Sequence, residues 1–221
     1  MVTTKTKIDW CDFSWNPVWG CRHDCPFCYA RGLARRFGKK IAGRNDFEPV
    51  WIQANFDSPM PRQPSRIFVD SMSDVACWKE EWIAAVKKRM ARNREHLFLI
   101  LTKGRQPNTW RTENVLFGST AIDQAALEAV PKDRDFVSIE PIVGPVDLAV
   151  DLPDLGWIIV GAETGNRKDR IIPESSWIES IRTRCRELEL PLFEKNNLMG
   201  LMGKNLVREY PDERRLRSRP R

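Results

Sequence analysis

Three closely spaced cysteines constrain this chain more than any other feature of its sequence. Cys21, Cys25 and Cys28 follow the spacing C-x3-C-x2-C. Three thiolates on one short loop can bind three corners of a 4Fe-4S cluster, since cysteine thiolates are the usual ligands of these clusters. The loop has no fourth cysteine, so one iron would keep an open position, as the metal of a catalytic zinc site does. The spacing therefore predicts a metal centre that can also bind a ligand.

Two other interpretations of these cysteines stay open. A structural zinc ion favours Cys3His ligand sets, and His23 lies between Cys21 and Cys25. So short a loop leaves this histidine little room to bind the same metal as the cysteines around it. The second alternative is chance, but six cysteines in 221 residues rarely fall at this spacing by accident.

Composition favours a protein of a reducing compartment. The chain is 42% hydrophobic and 30% charged, as expected for one ordinary domain with a core. The strongest apolar run, residues 97–101, is far too short to cross a bilayer, and residues 1–9 lack the apolar region of a signal peptide. We therefore expect a cytoplasmic protein with no membrane partner. Its cysteines would then serve metal or redox chemistry rather than disulfides.

Basic residues are concentrated in two segments. Residues 31–44 carry six basic side chains and no acid, and residues 208–221 carry six arginines against three acids. Such segments suit a phosphate backbone, although a solvated helix face and a frayed tail have the same composition. If the first segment continues from the cysteine loop as a helix, its apolar face would consist of Ala30, Leu33, Ala34 and Phe37.

Short apolar segments alternate with amphipathic ones along the chain. We predict strands at residues 66–70, 97–102, 115–118, 136–140, 157–161 and near 192–194. Helices are predicted at 78–93, with Trp78, Trp82, Val86 and Met90 on one face, and at 176–190, with Trp177, Ile181, Cys185 and Leu188. The alternation predicts an α/β fold, namely a partial parallel (β/α)6-type barrel with the cluster loop after the first strand. Residues 1–205 would form a single domain and 206–221 a basic C-terminal tail.

Polar side chains follow five of the predicted strands where each strand ends. Any one of them could be a helix N-cap, but in parallel barrels the active site lies at this edge of the sheet. We therefore expect these residues to contribute to one site. They are Ser71, Ser73 and Asp74; Thr102 and Lys103; Ser119 and Thr120; Glu140; and Glu163 and Thr164.

The cysteine loop, with Phe27 directly before the last cysteine, resembles the signature of the radical S-adenosylmethionine (SAM) superfamily. Further motifs resemble a family of phage and bacterial proteins without an assigned function, over most of residues 5–200. That family is in turn similar to spore photoproduct lyase, a radical SAM enzyme that reverses a thymine lesion in DNA. The motifs lie at residues 15–17, 67–74, 101–103, 138–141 and 160–165.

The resemblance implies a set of cofactors and binding residues. The three cysteines would hold the 4Fe-4S cluster, and SAM would bind its open iron with Phe27 beside the adenine. One electron, delivered by a partner such as flavodoxin or ferredoxin, would cleave SAM to a radical that abstracts hydrogen. Tyr29, Ser73, Lys103 and Ser119 would contact SAM, and Ser71, Glu140 and Glu163 complete the predicted cofactor-binding set. Lys103 suits the SAM carboxylate, although a solvated strand-end lysine is the alternative.

One departure from spore photoproduct lyase concerns the hydrogen donor. The lyase uses a cysteine three positions before the Asp of its Ser-Asp pair, and this chain has Ser71 there. Cys77 lies six residues further on and is our candidate catalytic thiol. The alternative is a small residue that packs at the start of the next helix.

Three functions follow from these patterns. The first is a radical SAM enzyme that acts on a nucleic acid or nucleotide, since a basic segment follows the cluster loop. The second is the same chemistry on a peptide or small metabolite. The third, from another class, is a zinc-bound nucleic-acid-binding module without catalysis.

Overall fold

The computed structural model describes residues 4–106, 108–110, 112–148, 155–165 and 167–212. The chain divides into two compact units. The first consists of Met1–Gly104 and Trp110–Leu116, and the second of Arg105–Thr109 and Phe117–Arg221. The prediction of a single domain over residues 1–205 stays a prediction.

The first unit contains a parallel sheet with one antiparallel edge strand and a separate two-stranded ribbon. Strand β1 pairs antiparallel with β2, while β2, β5 and β6 are parallel neighbours; β3 and β4 form the ribbon. The cysteine loop follows β2 and β3. The strands are β1 (Thr4–Lys5), β2 (Phe13–Trp15), β3 (Val18–Trp19), β4 (Val50–Trp51), β5 (Arg66–Val69) and β6 (Leu97–Thr102). The helices are α1 (Tyr29–Ala42), α2 (Gln53–Phe56) and α3 (Glu80–Arg92).

Helix α1 packs through its small residues, which corrects the predicted apolar face. Ala30, Ala34 and Gly38 are buried, whereas Leu33 and Phe37 are 37% and 49% exposed. A Cβ at Gly38 would lie only 2.5 Å from the Arg44 carbonyl oxygen. Because the backbone approaches this closely, the buried face takes residues with little or no side chain.

Helix α3 largely follows its predicted face. Val86 and Met90 are fully buried. Trp82 is half-buried and stacks on Trp51 of β4, with 6.2 Å between ring centroids. Trp78 lies before the helix and packs edge-on against Trp110.

The second unit contains a parallel sheet in the order β7-β8-β9-β10. Its core lies between these strands and helix α5, where Ile178, Ile181 and Cys185 are buried. Leu188, predicted on the same face, is 45% exposed because the helix ends at Glu187. The strands are β7 (Val115–Ala121, mostly in this unit), β8 (Phe136–Ile139), β9 (Ile158–Val160) and β10 (Leu192–Glu194). The helices are α4 (Gln124–Glu128), α5 (Ser175–Glu187) and α6 (Met199–Met202).

The predicted fold class, an α/β protein of the partial parallel barrel type, is confirmed. Among the described residues, three parallel strands belong to the first unit and four to the second. All six predicted strands are present.

Part of the segment predicted as a tail lies against β10. The Glu194 amide donates to the Val207 carbonyl and the Glu209 amide to the Leu192 carbonyl, both at 2.9 Å. The rest of that segment, residues 213–221, lies outside the described residues. No helix in the described part of the chain is long and apolar enough to cross a membrane.

Candidate metal centre

The cysteine loop begins at Gly20, whose backbone conformation only glycine adopts easily. Its φ is +107°, and a Cβ there would lie 2.3 Å from the Glu48 carbonyl oxygen. The Gly20 amide donates to the Met72 carbonyl at 2.9 Å, and the Cys21 amide donates to the Phe47 carbonyl at 2.7 Å. The first bond holds the loop against the turn that follows β5, and the second holds it against the segment before β4.

The three loop cysteines are free, half-buried thiols. The sulfur of Cys28 caps helix α1 by accepting a hydrogen bond from the Arg31 amide at 3.4 Å. The sulfur of Cys21 accepts one from the His23 amide, also at 3.4 Å. Backbone N–H groups that point at sulfur stabilise thiolates, and such bonds are characteristic of cluster ligands. The donor set therefore fits an iron-sulfur cluster.

Cys77, the candidate catalytic thiol, lies beside the loop. It ends a 3₁₀ turn (Val75–Cys77), and its sulfur accepts a hydrogen bond from the Arg22 amide at 3.4 Å. One ligand atom each of Cys21, His23 and Cys77 lies within 4.8 Å of the others. The hydrogen bond from Cys21 lowers the pKa of Cys77 to about 6, and the pKa of Cys21 is raised by the same contact.

Asp74 connects the loop to two strand ends. Its carboxylate accepts from the Ala76 amide at 2.9 Å, the Thr102 hydroxyl at 2.6 Å and the Lys103 amide at 2.9 Å. His23 Nε2 lies 3.3 Å from the same carboxylate. Burial opposes ionisation of this group, but these contacts outweigh it and hold the pKa of Asp74 below its usual range. Asp74 in turn raises the pKa of His23.

The other first-unit residues predicted to bind cofactor lie around this turn. The Ser71 hydroxyl donates to the Asn16 side-chain oxygen at 3.0 Å, and the Tyr29 hydroxyl donates to the Ser71 carbonyl at 2.6 Å. Ser73 accepts from the Trp78 indole at 3.0 Å. Phe27 is half-buried and Lys103 is exposed. Asn16, which also accepts from the Met72 amide, was noted only as part of the motif at residues 15–17.

The remaining three predicted residues lie in the second unit, and each already has a partner there. Ser119 is buried and accepts from Arg134 Nε at 2.8 Å. Glu140 pairs with Lys195, and Glu163 makes two hydrogen bonds of 2.8 Å with Arg167. Their assignment to cofactor binding stays a prediction.

Comparison with solved structures identifies the fold. The chain is similar to a single-residue mutant of spore photoproduct lyase, with a TM-score of 0.51 and 9% identity over 87% of this chain and 78% of that one. The lyase complexed with dinucleoside spore photoproduct matches at a TM-score of 0.44 and 10% identity, over 84% and 64% of the two chains. A lyase mutant with bound AdoMet and the same photoproduct gives 0.43 and 11%, with the same coverage.

The fold and the loop together define an α/β protein with the fold of spore photoproduct lyase and a cysteine-rich candidate metal centre. The resemblance expected from the sequence is thus confirmed at the level of the fold, and the lyase is a radical SAM enzyme. The chain belongs to the family described as "Protein of unknown function (DUF5131)", which matches residues 5–209. No curated protein matches its sequence.

One prediction from this site concerns Asp70, which directly follows β5 and is only 2% exposed. Burial and the nearby charge of Asp74 raise the pKa of Asp70 well above its usual value, so the native state keeps a proton that the unfolded chain releases above about pH 4. Stability should therefore fall as pH rises from about 4 toward the native pKa, by about 1.4 kcal/mol for each unit of pKa elevation. Asp70→Asn should remove this loss, so the variant gains stability over wild type as pH increases. Asparagine also tolerates the φ of +78° at this position.

Urea unfolding from about pH 2 to 7.5 measures the effect, a window that includes the range below pH 4 where the control titrates. Asp12→Asn is the matched control with the opposite sign, because Arg66 lowers the pKa of Asp12 against its partial burial. Asp12 stabilises the native state above its unfolded pKa, and this contribution is lost as pH falls through the native pKa. Equal pH profiles for wild type and Asp70→Asn would contradict the prediction.

Proposed function

We propose that the protein is a radical SAM enzyme that holds a 4Fe-4S cluster through Cys21, Cys25 and Cys28. The observation that carries the proposal is the half-buried C-x3-C-x2-C loop at the carboxyl ends of parallel strands, on the fold of spore photoproduct lyase. The loop leaves one iron without a protein ligand, which is where SAM would bind. When bound, the two cofactors supply one-electron cleavage of a carbon–sulfur bond and a hydrogen-abstracting radical.

The chain's own residues would bind and orient SAM. The Lys103 ammonium suits the SAM carboxylate. Its charge also acts on the cysteine loop, because burial raises the pKa of Cys25 and the charge of Lys103 opposes that rise. Ser71 and Ser73 offer short polar groups, while Phe27 and Tyr29 offer ring surface for the adenine. Ser119, Glu140 and Glu163 are proposed as further contacts.

Cys77 is the proposed hydrogen donor, since Ser71 occupies the position of the lyase cysteine. A serine O–H bond is too strong to release a hydrogen atom readily, whereas a thiol releases one more easily. The hydrogen bond that lowers the pKa of Cys77 comes from the Cys21 thiol, and Cys21 would lose that proton on binding iron, so Cys77 would keep its own S–H hydrogen beside a loaded cluster. The contact between Cys77 and Cys21 puts this thiol next to the proposed cluster.

The exposed face of α1 supports a nucleic-acid substrate. Leu33 and Phe37 lie one turn apart on this face and are 37% and 49% exposed. Exposed cations lie between and beyond them, namely Arg35, Arg36, Lys39 and Lys40. Aromatic rings for base stacking combined with cations for phosphates are characteristic of single-strand binding. Since a base inside a duplex is hard to reach, we propose single-stranded or flipped-out nucleic acid as the substrate.

The cluster assignment is tested by single substitutions. Cys21→Ala, Cys25→Ala and Cys28→Ala should each abolish the iron-sulfur absorbance of anaerobically reconstituted protein, because each removes one of the three ligands. Cys185→Ala, which removes a buried thiol from the second unit, is the control and should keep full absorbance. Iron and sulfide analysis checks the result. Wild-type protein that takes up zinc and only trace iron would refute the cluster.

Cofactor use is tested by binding and turnover. Reduced, cluster-loaded protein should bind SAM and cleave it slowly to 5′-deoxyadenosine and methionine. Lys103→Ala should weaken SAM binding roughly tenfold or more, since a hydrogen bond to a charged group contributes about 1.5–3 kcal/mol. Calorimetry measures the affinity, with Lys88→Ala as the control because Lys88 is exposed on α3. The absence of SAM binding in loaded wild type would contradict the assignment.

The substrate class is tested by salt dependence. Replacing Arg35, Arg36, Lys39 and Lys40 by Gln should flatten the dependence of single-strand affinity on salt, by about 0.7 in log–log slope for each lost phosphate contact. Cluster content should not change. Fluorescence anisotropy with labelled DNA and RNA measures this, and the control replaces Lys88, Arg92 and Arg94 of the α3 region. Wild-type binding no tighter than millimolar at low salt would favour a peptide or metabolite substrate.

A further inference from the structure

Three potential metal ligands meet beside the cluster loop in a combination that the C-x3-C-x2-C motif does not contain. They are Cys21, His23 and Cys77. We propose that these residues bind a single thiophilic divalent cation, such as Zn²⁺, when the cluster is not loaded. The inference rests on the proposed function in one respect: Cys21 would be a ligand of both the proposed cluster and the proposed single ion.

The distances suit one ion. Zinc binds cysteine sulfur at about 2.3 Å and histidine nitrogen at about 2.0–2.1 Å, so tetrahedral ligand atoms lie about 3.5–3.8 Å apart. The three ligand atoms lie within 4.8 Å of one another, and small side-chain rotations would bring them to these separations. Cys25 and Cys28 do not belong to this group. Ligands of a cluster bind different irons and stand further apart than ligands of one ion.

The surrounding backbone stabilises the ligands in their metal-binding form. The Arg22 amide donates to the Cys77 sulfur and the His23 amide to the Cys21 sulfur, both at 3.4 Å. Asp74 lies 3.3 Å from His23 Nε2 and attracts the imidazole electrostatically. A carboxylate next to a metal-binding histidine is the usual means of orienting it. Asp74 also caps the turn that carries Cys77, through the Ala76 amide, and so aligns two of the three ligands.

The ligand types select the metal class. Two thiolates and an imidazole favour zinc and other late transition ions over magnesium or calcium, which prefer oxygen. The fourth coordination position would be filled by water. Because Cys21 cannot bind both metals, the single ion and the cluster should exclude each other.

Cobalt is the spectroscopic probe for this site. The purified full-length chain, freed of metal by a chelator and reduced, is titrated anaerobically with Co²⁺, and the thiolate-to-cobalt charge-transfer absorbance is recorded. Wild type should bind one equivalent, and preloading with Zn²⁺ should prevent it. Cys77→Ala and His23→Ala should each weaken cobalt binding at least tenfold. Cys25→Ala, which removes a cluster ligand outside this group, should bind cobalt as wild type does.

Reconstitution with iron and sulfide gives the opposite pattern. Cys77→Ala should keep the cluster and Cys25→Ala should lose it, so failure of the single-ion site is distinguishable from failure of the cluster. Cys77→Ser, which preserves size, and the far-UV circular dichroism of each variant show that weak binding does not reflect misfolding. Unchanged cobalt affinity in Cys77→Ala would overturn the proposal. So would an equal loss of affinity in Cys25→Ala, since the ion would then occupy the three motif cysteines.

Discussion

The arrangement of the candidate site depends on one buried carboxylate, that of Asp74. It is 5% exposed, and its oxygens contact the turn after β5, the end of β6 and the imidazole of the cysteine loop. A carboxylate can remain ionised at such a position only because each oxygen has donors around it. Without it, the Thr102 hydroxyl, the Lys103 amide and His23 would each lose a partner. Three segments that are distant in the sequence would then lose their common attachment.

The opposite behaviour of Asp70 follows from the same geometry. Two carboxylates close together in a buried turn cannot both carry charge without a large electrostatic cost, and the donors around Asp74 decide which one is ionised. The site therefore has a fixed anion beside His23 and a neutral acid at the end of β5. Lys103 adds a cation at the neighbouring strand end, so the charges of the site alternate over a short distance.

The sheet and the cysteine loop could be predicted from sequence because their signals are local. Runs such as residues 97–102 are apolar on both faces, and the cysteine spacing is contained in one loop. The bounds of the β2 strand and the β3–β4 ribbon were not predicted, since these strands are only two or three residues long. The predicted face of α1 is right at Ala30 and Ala34 and wrong at Leu33 and Phe37, because periodicity follows hydrophobicity while packing there requires small side chains. The hydrogen bond from the Arg22 amide to Cys77 could not be predicted, because the two residues lie 55 positions apart in the sequence and meet only once β5 is in place.

The position of Cys28 has a consequence for electron transfer. Its sulfur caps a 14-residue helix, and the peptide dipoles of that helix produce a partial positive charge at this end. The first turn of α1 contains no acidic side chain that would neutralise this charge. Reduction adds negative charge to any centre ligated there, so the helix stabilises the reduced form relative to the oxidised one. If Cys28 ligates a redox centre as proposed, the helix would thereby raise the reduction potential of that centre.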